Sequence, residues 1–206
     1  VSDRIEVDSR VVRPQSKVYL MLNKPRGLVT TASDEKNRDT IYSCLSADLP
    51  WVAPVGRLDK ASEGLILLTN DSEWAARISA PETHLDKIYH VQVGSVVNDE
   101  LVARLVNGID LESEGGARNV LRAKGARVVR TGERNAWLEV VLDEGKNRQI
   151  RRMCECVGVE VLRLVRISVG PLHLGQLAKG SFRRLSLEEK QLLDRAMRSG
   201  AGKQSK

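Results

Sequence analysis

The sequence predicts an α+β fold. Short apolar runs rich in β-branched residues recur at 18–22, 51–55, 65–69, 88–93, 137–142 and 161–169, and Gly, Pro, Asn or Asp bound them, as strands require. The helical stretches between these runs are too few for strict strand–helix–strand alternation. A mixed sheet with helices packed on it satisfies both observations, and a doubly wound parallel sheet does not.

Residues 1–16 are charged, with Ile5 and Val7 alternating before Val11-Val12, and end in Arg13-Pro14-Gln15-Ser16; they read as a short strand and a linker. After the run at 18–22, Lys24-Pro25-Arg26-Gly27 makes a turn through its proline and glycine. Asn70 with Glu73 three residues on forms a capping box, opening a short helix that Pro81 ends. In the strand 87–93, Tyr89, Val91 and Val93 share a face. A helix over Asp99–Asn107 runs into Gly108 as its C-cap. Residues 113–119, with paired glycines and charges, read as a surface loop. A helix starting near Asn147 places Ile150, Met153, Cys154 and Val157 at i, i+3, i+4 and i+7, a core stripe, and leaves Arg148, Arg151, Arg152 and Glu155 on a neighbouring face. A last helix covers about Leu187 to Met197, and 198–206 read as a disordered tail.

Composition bounds the partners. At 206 residues the chain holds one or two domains, and its net charge of +6 favours a polyanion, the alternative being a solvated basic surface. Aromatics at 3% argue against a base-stacking platform. Cys44, Cys154 and Cys156 lack paired zinc spacing, and His84, His90 and His173 stand singly, so no metal site is expected. No segment approaches the ~18 apolar residues of a membrane span, and no signal-type apolar region opens the sequence. The expectation is a cytoplasmic protein with reduced thiols.

Between two apolar runs, Gly56 and Gly64 bracket a short loop that carries Arg57 and Asp59. Such a loop can present a carboxylate with little positional slack, although a lone aspartate is more often a turn or cap residue. The text Gly56-Arg57-Leu58-Asp59, followed by Gly64-Leu65-Ile66-Leu67-Leu68-Thr69-Asn70-Asp71, resembles the second conserved motif of the pseudouridine synthases, in the branch that modifies bacterial ribosomal RNA. Lys87-Ile88-Tyr89 is similar to that family's tyrosine motif, and Glu144-Gly145-Lys146-Asn147-Arg148-Gln149-Ile150-Arg151-Arg152 to its carboxy-terminal motif. Tyr19 to Gly27 resembles its opening strand and turn, so the likeness spans about Val18 to Leu187 in order.

The resemblance implies a long, mostly antiparallel sheet with helices packed on it and an RNA-binding cleft across its middle. It also implies cofactor-free isomerisation of specific uridines in ribosomal RNA, 23S favoured over 16S, by a monomer. Residues 1–16 then read as the remnant of an amino-terminal RNA-binding domain, and 17–197 as the catalytic domain. By the same resemblance Asp59 is the nucleophile or base, Arg151 its cationic partner, and Tyr89 the ring that stacks on the target base. Arg57 enters the space the flipped base leaves, with a salt bridge as the competing reading. Lys24, Arg26, Lys60, Lys87, Lys146, Arg148 and Arg152 are candidate RNA contacts, with a solvated helix face or a plain turn as alternatives. Two rival classes remain: a noncatalytic RNA-binding or ribosome-assembly protein, and a metal-dependent nuclease, for which Asp59 lacks a neighbouring carboxylate cluster.

Overall fold

In the computed structural model, which describes residues 6–7, 10–11, 16–32, 34–111 and 119–201, all six apolar runs become strands of one sheet. The strands are β1 (Glu6–Val7), β2 (Arg10–Val11), β3 (Tyr19–Lys24), β4 (Ala53–Val55), β5 (Glu63–Thr69), β6 (Lys87–Val93), β7 (Ile109–Leu111), β8 (Asn119–Leu121), β9 (Gly125–Thr131), β10 (Ala136–Leu142), β11 (Val161–Val169), β12 (Leu172–His173) and β13 (Phe182–Arg184). The helices are α1 (Ser72–Ser79), α2 (Asp99–Asn107), α3 (Gln149–Cys156) and α4 (Leu187–Ala201). The main sheet runs β13-β3-β5-β11-β6-β10-β9, with β12 on β11 and β4 on β5, and within it only β5 and β11 pair in parallel.

Period-two alternation sorts the core onto two faces. Leu20, Leu22, Ile66, Leu68, Tyr89 and Val91 face a core closed by Leu105 of α2 and by Ile150 and Met153 of α3. Met21, Leu65 and Leu67 face the other way, onto Trp74 and Ile78 of α1 and Leu193 and Met197 of α4. Because both faces of β5 are covered, all seven of its residues are buried.

The sheet forks at β5. β11 pairs with its first residues, Val165 with Glu63 and Arg166 with Gly64, and β4 takes over further along, from Leu67 to Thr69. The chain returning from β4 to β5, residues 56–62, lies at this fork. The register aligns Lys24, Gly64, Arg166, Tyr89 and Val140 in one row across five strands. Gly64 has φ +102°, and a Cβ there would lie 2.2 Å from the Arg166 carbonyl oxygen, so only glycine lets the two strands meet.

The structure corrects several element boundaries. The amino-terminal segment holds two short strands, β1 and β2, paired antiparallel, rather than one; its linker residues 12–15 lie outside the described residues. The cap of α1 is Asp71, which accepts from the Trp74 N–H, because the Asn70 side chain is already engaged with the Val18 N–H. α3 starts at Gln149, two residues after Asn147. α4 continues past Met197 to Ala201, where Ser199 Oγ donates to the Arg195 carbonyl; 202–206 lie outside the described residues. So does the surface loop expected at 113–119, apart from Asn119, which starts β8. β9 was not expected: its exposed, arginine-bearing edge lacks an apolar run.

Candidate active site

The loop that carries Asp59 is held by its backbone. Five successive carbonyls are each caught by a donor: Leu58 by Thr30 Oγ1 at 2.7 Å, Asp59 by Lys24 Nζ at 3.1 Å, Lys60 by the Gly27 N–H at 2.8 Å, Ala61 by Arg151 Nη2 at 3.0 Å, and Ser62 by Lys24 Nζ at 2.8 Å. A further bond from the Ser62 N–H to the Asp59 carbonyl closes the turn at 2.9 Å. With its main chain fixed from Leu58 to Ser62, the loop leaves the Asp59 side chain about one-third exposed. Leu58 is buried in the same core cluster as Tyr89, which ties the loop to the central row of the sheet.

Among the described residues the cation that pairs with Asp59 is Arg148, not Arg151. Arg148 Nη1 lies 3.7 Å from Asp59 Oδ2. Arg148 occupies the position before α3 with φ 47°, a left-handed conformation, so it stands ahead of the helix to which the sequence assigns it. Arg151 instead bridges the carbonyls of Ala61 and Val161, and its Nε is buried without a partner among the described residues. Burial lowers the Arg151 pKa, as does the charge of Arg148; Asp59 opposes that shift and Arg26 adds to it, so all four charges gather at one place.

Lys24 was expected at RNA and is fully buried. Its ammonium donates to the carbonyls of Pro25, Asp59 and Ser62, and burial pushes its pKa down to about 8 against the pull of Asp59 and Glu63. Lys87 is also turned inward, half-buried, with Nζ on the Leu85 carbonyl; burial, then the charge of Arg166, lowers its pKa. Lys146 is paired with Glu144 at 3.0 Å. Arg26, Arg57 and Lys60 are exposed, Arg152 is half-buried, and no ion pair holds Arg57 among the described residues. Tyr89 is 9% exposed, and its hydroxyl has no protein partner among the described residues.

Four charged residues beside the loop were not anticipated. Glu63 is buried, gripped by Arg163 through two hydrogen bonds of 2.7 and 3.0 Å and by Lys179 at 2.6 Å. The Arg163 hydrogen bonds lead, with Lys179 adding to them against burial, in holding the Glu63 carboxyl down to about 2. Arg166 is buried in the central row and donates from Nε to the Leu65 carbonyl at 2.7 Å. Parity carried the signal for two inward cations: Lys24 continues the stripe of Leu20 and Leu22, and Arg166 that of Leu164.

Beyond the two arginines the cleft continues into a cavity of about 350 Å³ between α3 and the start of β11. Among the described residues no three histidine, cysteine or carboxylate side chains gather so as to hold a metal ion, and no helix is long and apolar enough to cross a membrane.

The fold defines the class. A solved structure described as a pseudouridylate synthase matches 87% of this chain and 75% of its own, with a TM-score of 0.75 and 30% identity. The family model for RNA pseudouridylate synthases matches residues 18–156. An uncharacterized RNA pseudouridine synthase of Aquifex aeolicus is 38% identical over 188 residues, which is 91% of this chain and 74% of that protein. The ribosomal large subunit pseudouridine synthase B of Bacillus subtilis is 36% identical over 188 residues, 91% of this chain and 76% of that protein. The chain belongs to the RNA pseudouridylate synthase family, and it is an isomerase that acts on RNA.

Proposed function

We propose that this enzyme isomerises one or a few uridines of ribosomal RNA, in the large-subunit molecule rather than the small, with Asp59 as the reacting carboxylate. The reaction breaks the bond from uracil N1 to ribose C1′, turns the base over and joins C5 to C1′; C5 gives up its proton and N1 gains one, so the product is an isomer. A carboxylate serves this either as a nucleophile or as a base taking the ribose 2′ proton. The observation that carries the reading is the clamped loop: five held carbonyls fix the Asp59 main chain and leave its side chain free at the cleft beside Arg148. Fixed geometry of this kind is what removes the entropic part of a barrier.

In this reading Arg148 neutralises Asp59 at the mouth of the site, and Arg151 holds the loop through Ala61. Tyr89 offers its ring to the flipped base and its unpaired hydroxyl to the C5 proton. Unpaired and exposed, Arg57 fills the gap left in the RNA stack, and Arg26, Lys60 and Arg152 meet phosphates. The choice of large-subunit RNA is supported by the description of the Bacillus subtilis relative. The enzyme works as a cytoplasmic monomer whose catalytic unit starts near residue 17.

The test is Asp59→Asn, assayed on ribosomal RNA transcripts alongside pseudouridine mapping in cells with and without the gene. The expected result is loss of turnover by more than about 10³-fold, within the range of a lost acid–base or nucleophilic group, with fold and RNA affinity retained. Wild-type turnover by Asp59→Asn would instead leave Asp59 a turn residue. Loss of a small-subunit pseudouridine alone on deleting the gene would reverse the subunit assignment.

A further inference from the structure

The cavity beside the reacting aspartate has a charge pattern that the isomerisation does not use. Its walls carry Arg148 and Arg151, Glu155 and Glu160, and Val159 and Val161. On α3, Arg151 and Glu155 fall at i and i+4 and so are neighbours, and Arg148 lines the same cavity from the position before the helix. Glu160 reaches the pocket from the turn before β11, held there by the bond from the Gly94 N–H to the Glu160 carbonyl at 3.0 Å. Neither glutamate has an ion-pair partner among the described residues, although two arginines line the same cavity.

A phosphate pocket would not be built this way. Two carboxylates offset two guanidiniums, so the site has no net attraction for an anion, whereas a neutral group with both donor and acceptor edges can meet both kinds of side chain. Among the bases, guanine has that layout: O6 and N7 accept from arginine in a bidentate pair, and N1–H with N2–H2 donates to a carboxylate. The two valines supply an apolar surface for the face of the ring. The volume of about 350 Å³ falls within the range of sites that hold a small ligand.

We propose that this cavity is a specificity subsite that takes an unstacked guanine from a nucleotide near the target uridine. This rests on the reading of Asp59 as the reacting group, since Arg148 forms a wall common to both sites: it touches Asp59 on one side and lines the cavity on the other. Arg148 and Arg151 meet the acceptors of the guanine, and Glu155 and Glu160 its donors. Selection of a uridine then depends on a second base as well as on RNA shape.

The experiment begins with a large-subunit ribosomal RNA transcript and the wild-type protein, mapping the pseudouridine formed. A dicarbonyl reagent that adds across guanine N1 and N2 is then used to probe the complex. The expected result is one guanine near the modified position protected by the wild-type protein and released with Glu155→Gln or Glu160→Gln. A short RNA containing that site, with the guanosine replaced by inosine, which lacks the N2 amine, should lose about 5- to 100-fold in kcat/KM with the wild-type protein, the worth of one well-made base contact. The Glu155→Gln/Glu160→Gln double variant should treat the two RNAs alike. Equal preference for guanosine over inosine in the wild type and the double variant overturns the proposal. So does tighter, more salt-dependent RNA binding by the double variant, which is the behaviour of a phosphate site relieved of repulsion. Absence of pseudouridine in any ribosomal transcript with the wild-type protein would instead be a failure of the proposed function.

Discussion

The ammonium of Lys24 lies 3.1 Å from the backbone carbonyl of Asp59, and it also closes on the Ser62 carbonyl at 2.8 Å. A buried cation thus sets the position of the aspartate through its main chain and leaves the side chain to the cleft. The arrangement makes loop order depend on the protonation of a buried group.

Lys24→Met should preserve bulk but leave the Pro25 and Ser62 carbonyls without their donor and the Asp59 carbonyl with the Ser62 N–H alone. Buried unmet acceptors cost about 1–3 kcal/mol each, partly offset by removal of a desolvated charge, so a net loss of about 1–3 kcal/mol is expected together with more than 10-fold slower turnover. The pH dependence has a definite sign. Unfolded, the lysine keeps its proton to 10.5; folded, it gives it up near 8, so between those values the unfolded chain binds more protons and stability rises with pH. Turnover should move the other way above pH 8, as the loop loses a donor. Thermal melts and single-turnover rates across pH 7–10.5, compared with Lys24→Met, check both trends. Parallel profiles for the two proteins would remove Lys24 from the control of the loop.

Gly64→Ala places a Cβ 2.2 Å from the Arg166 carbonyl oxygen at a backbone φ of +102°. Neither strand can yield without breaking the short parallel register that joins the two halves of the sheet. Strain and clash together should cost at least ~3 kcal/mol, read as a shift of the urea midpoint, with turnover lost even where the variant folds. A midpoint unchanged from wild type would show that β5 and β11 are not in contact at this row.

Glu63 gives the acid limb. Its folded carboxyl titrates near 2 rather than 4.5, so its contribution to stability is full above pH 4.5 and is lost as the pH falls from 4.5 through about 2. Glu63→Gln should therefore unfold with a shallower acid dependence in that window and be less stable at neutral pH by about 2 kcal/mol, the scale of hydrogen bonds to a charged group. Acid titrations followed by far-UV circular dichroism decide it. An identical acid limb in the variant would show that Arg163 and Lys179 do not grip this carboxylate in solution.

Much of this architecture was legible because burial repeats with a period. The stripe Tyr89, Val91, Val93 was readable, as were the Ile150, Met153, Cys154 stripe of α3 and the Gly108 cap of α2. β9 was not, because an edge strand needs only one buried face and this one carries Arg127 and Arg130. At the site, the glycine-bounded loop pointed to Asp59, but assigning Lys24 and Arg151 direct contacts with RNA or Asp59 missed their bonds to backbone carbonyls. Which donor reaches which carbonyl depends on contacts up to 90 residues apart in sequence, as between Arg151 and Ala61, and local pattern holds no record of them.

Arg148 and Arg151 lie one helical turn apart and should fail differently. Arg148 sits at φ 47°, where a side chain adds strain, and its pair with Asp59 joins two partly exposed groups at 3.7 Å, worth about 0–1 kcal/mol in the free protein. Arg148→Gly relieves the strain and removes the charge. Stability should therefore hold within about 1 kcal/mol or rise slightly, while turnover at saturating RNA falls because the reacting carboxylate loses its cation. Arg151→Ala loses the bonds to Ala61 and Val161, which link the loop to β11. It should lose about 1–3 kcal/mol of stability and slow turnover together, since a loop carbonyl is left unmet and the position of Asp59 relaxes. Urea denaturation and single-turnover kinetics on both variants, each at two salt concentrations, separate these outcomes. If Arg151→Ala proved fully stable and Arg148→Gly turned over normally, Arg148 would be a phosphate contact, and the clamp on the loop would not need Arg151.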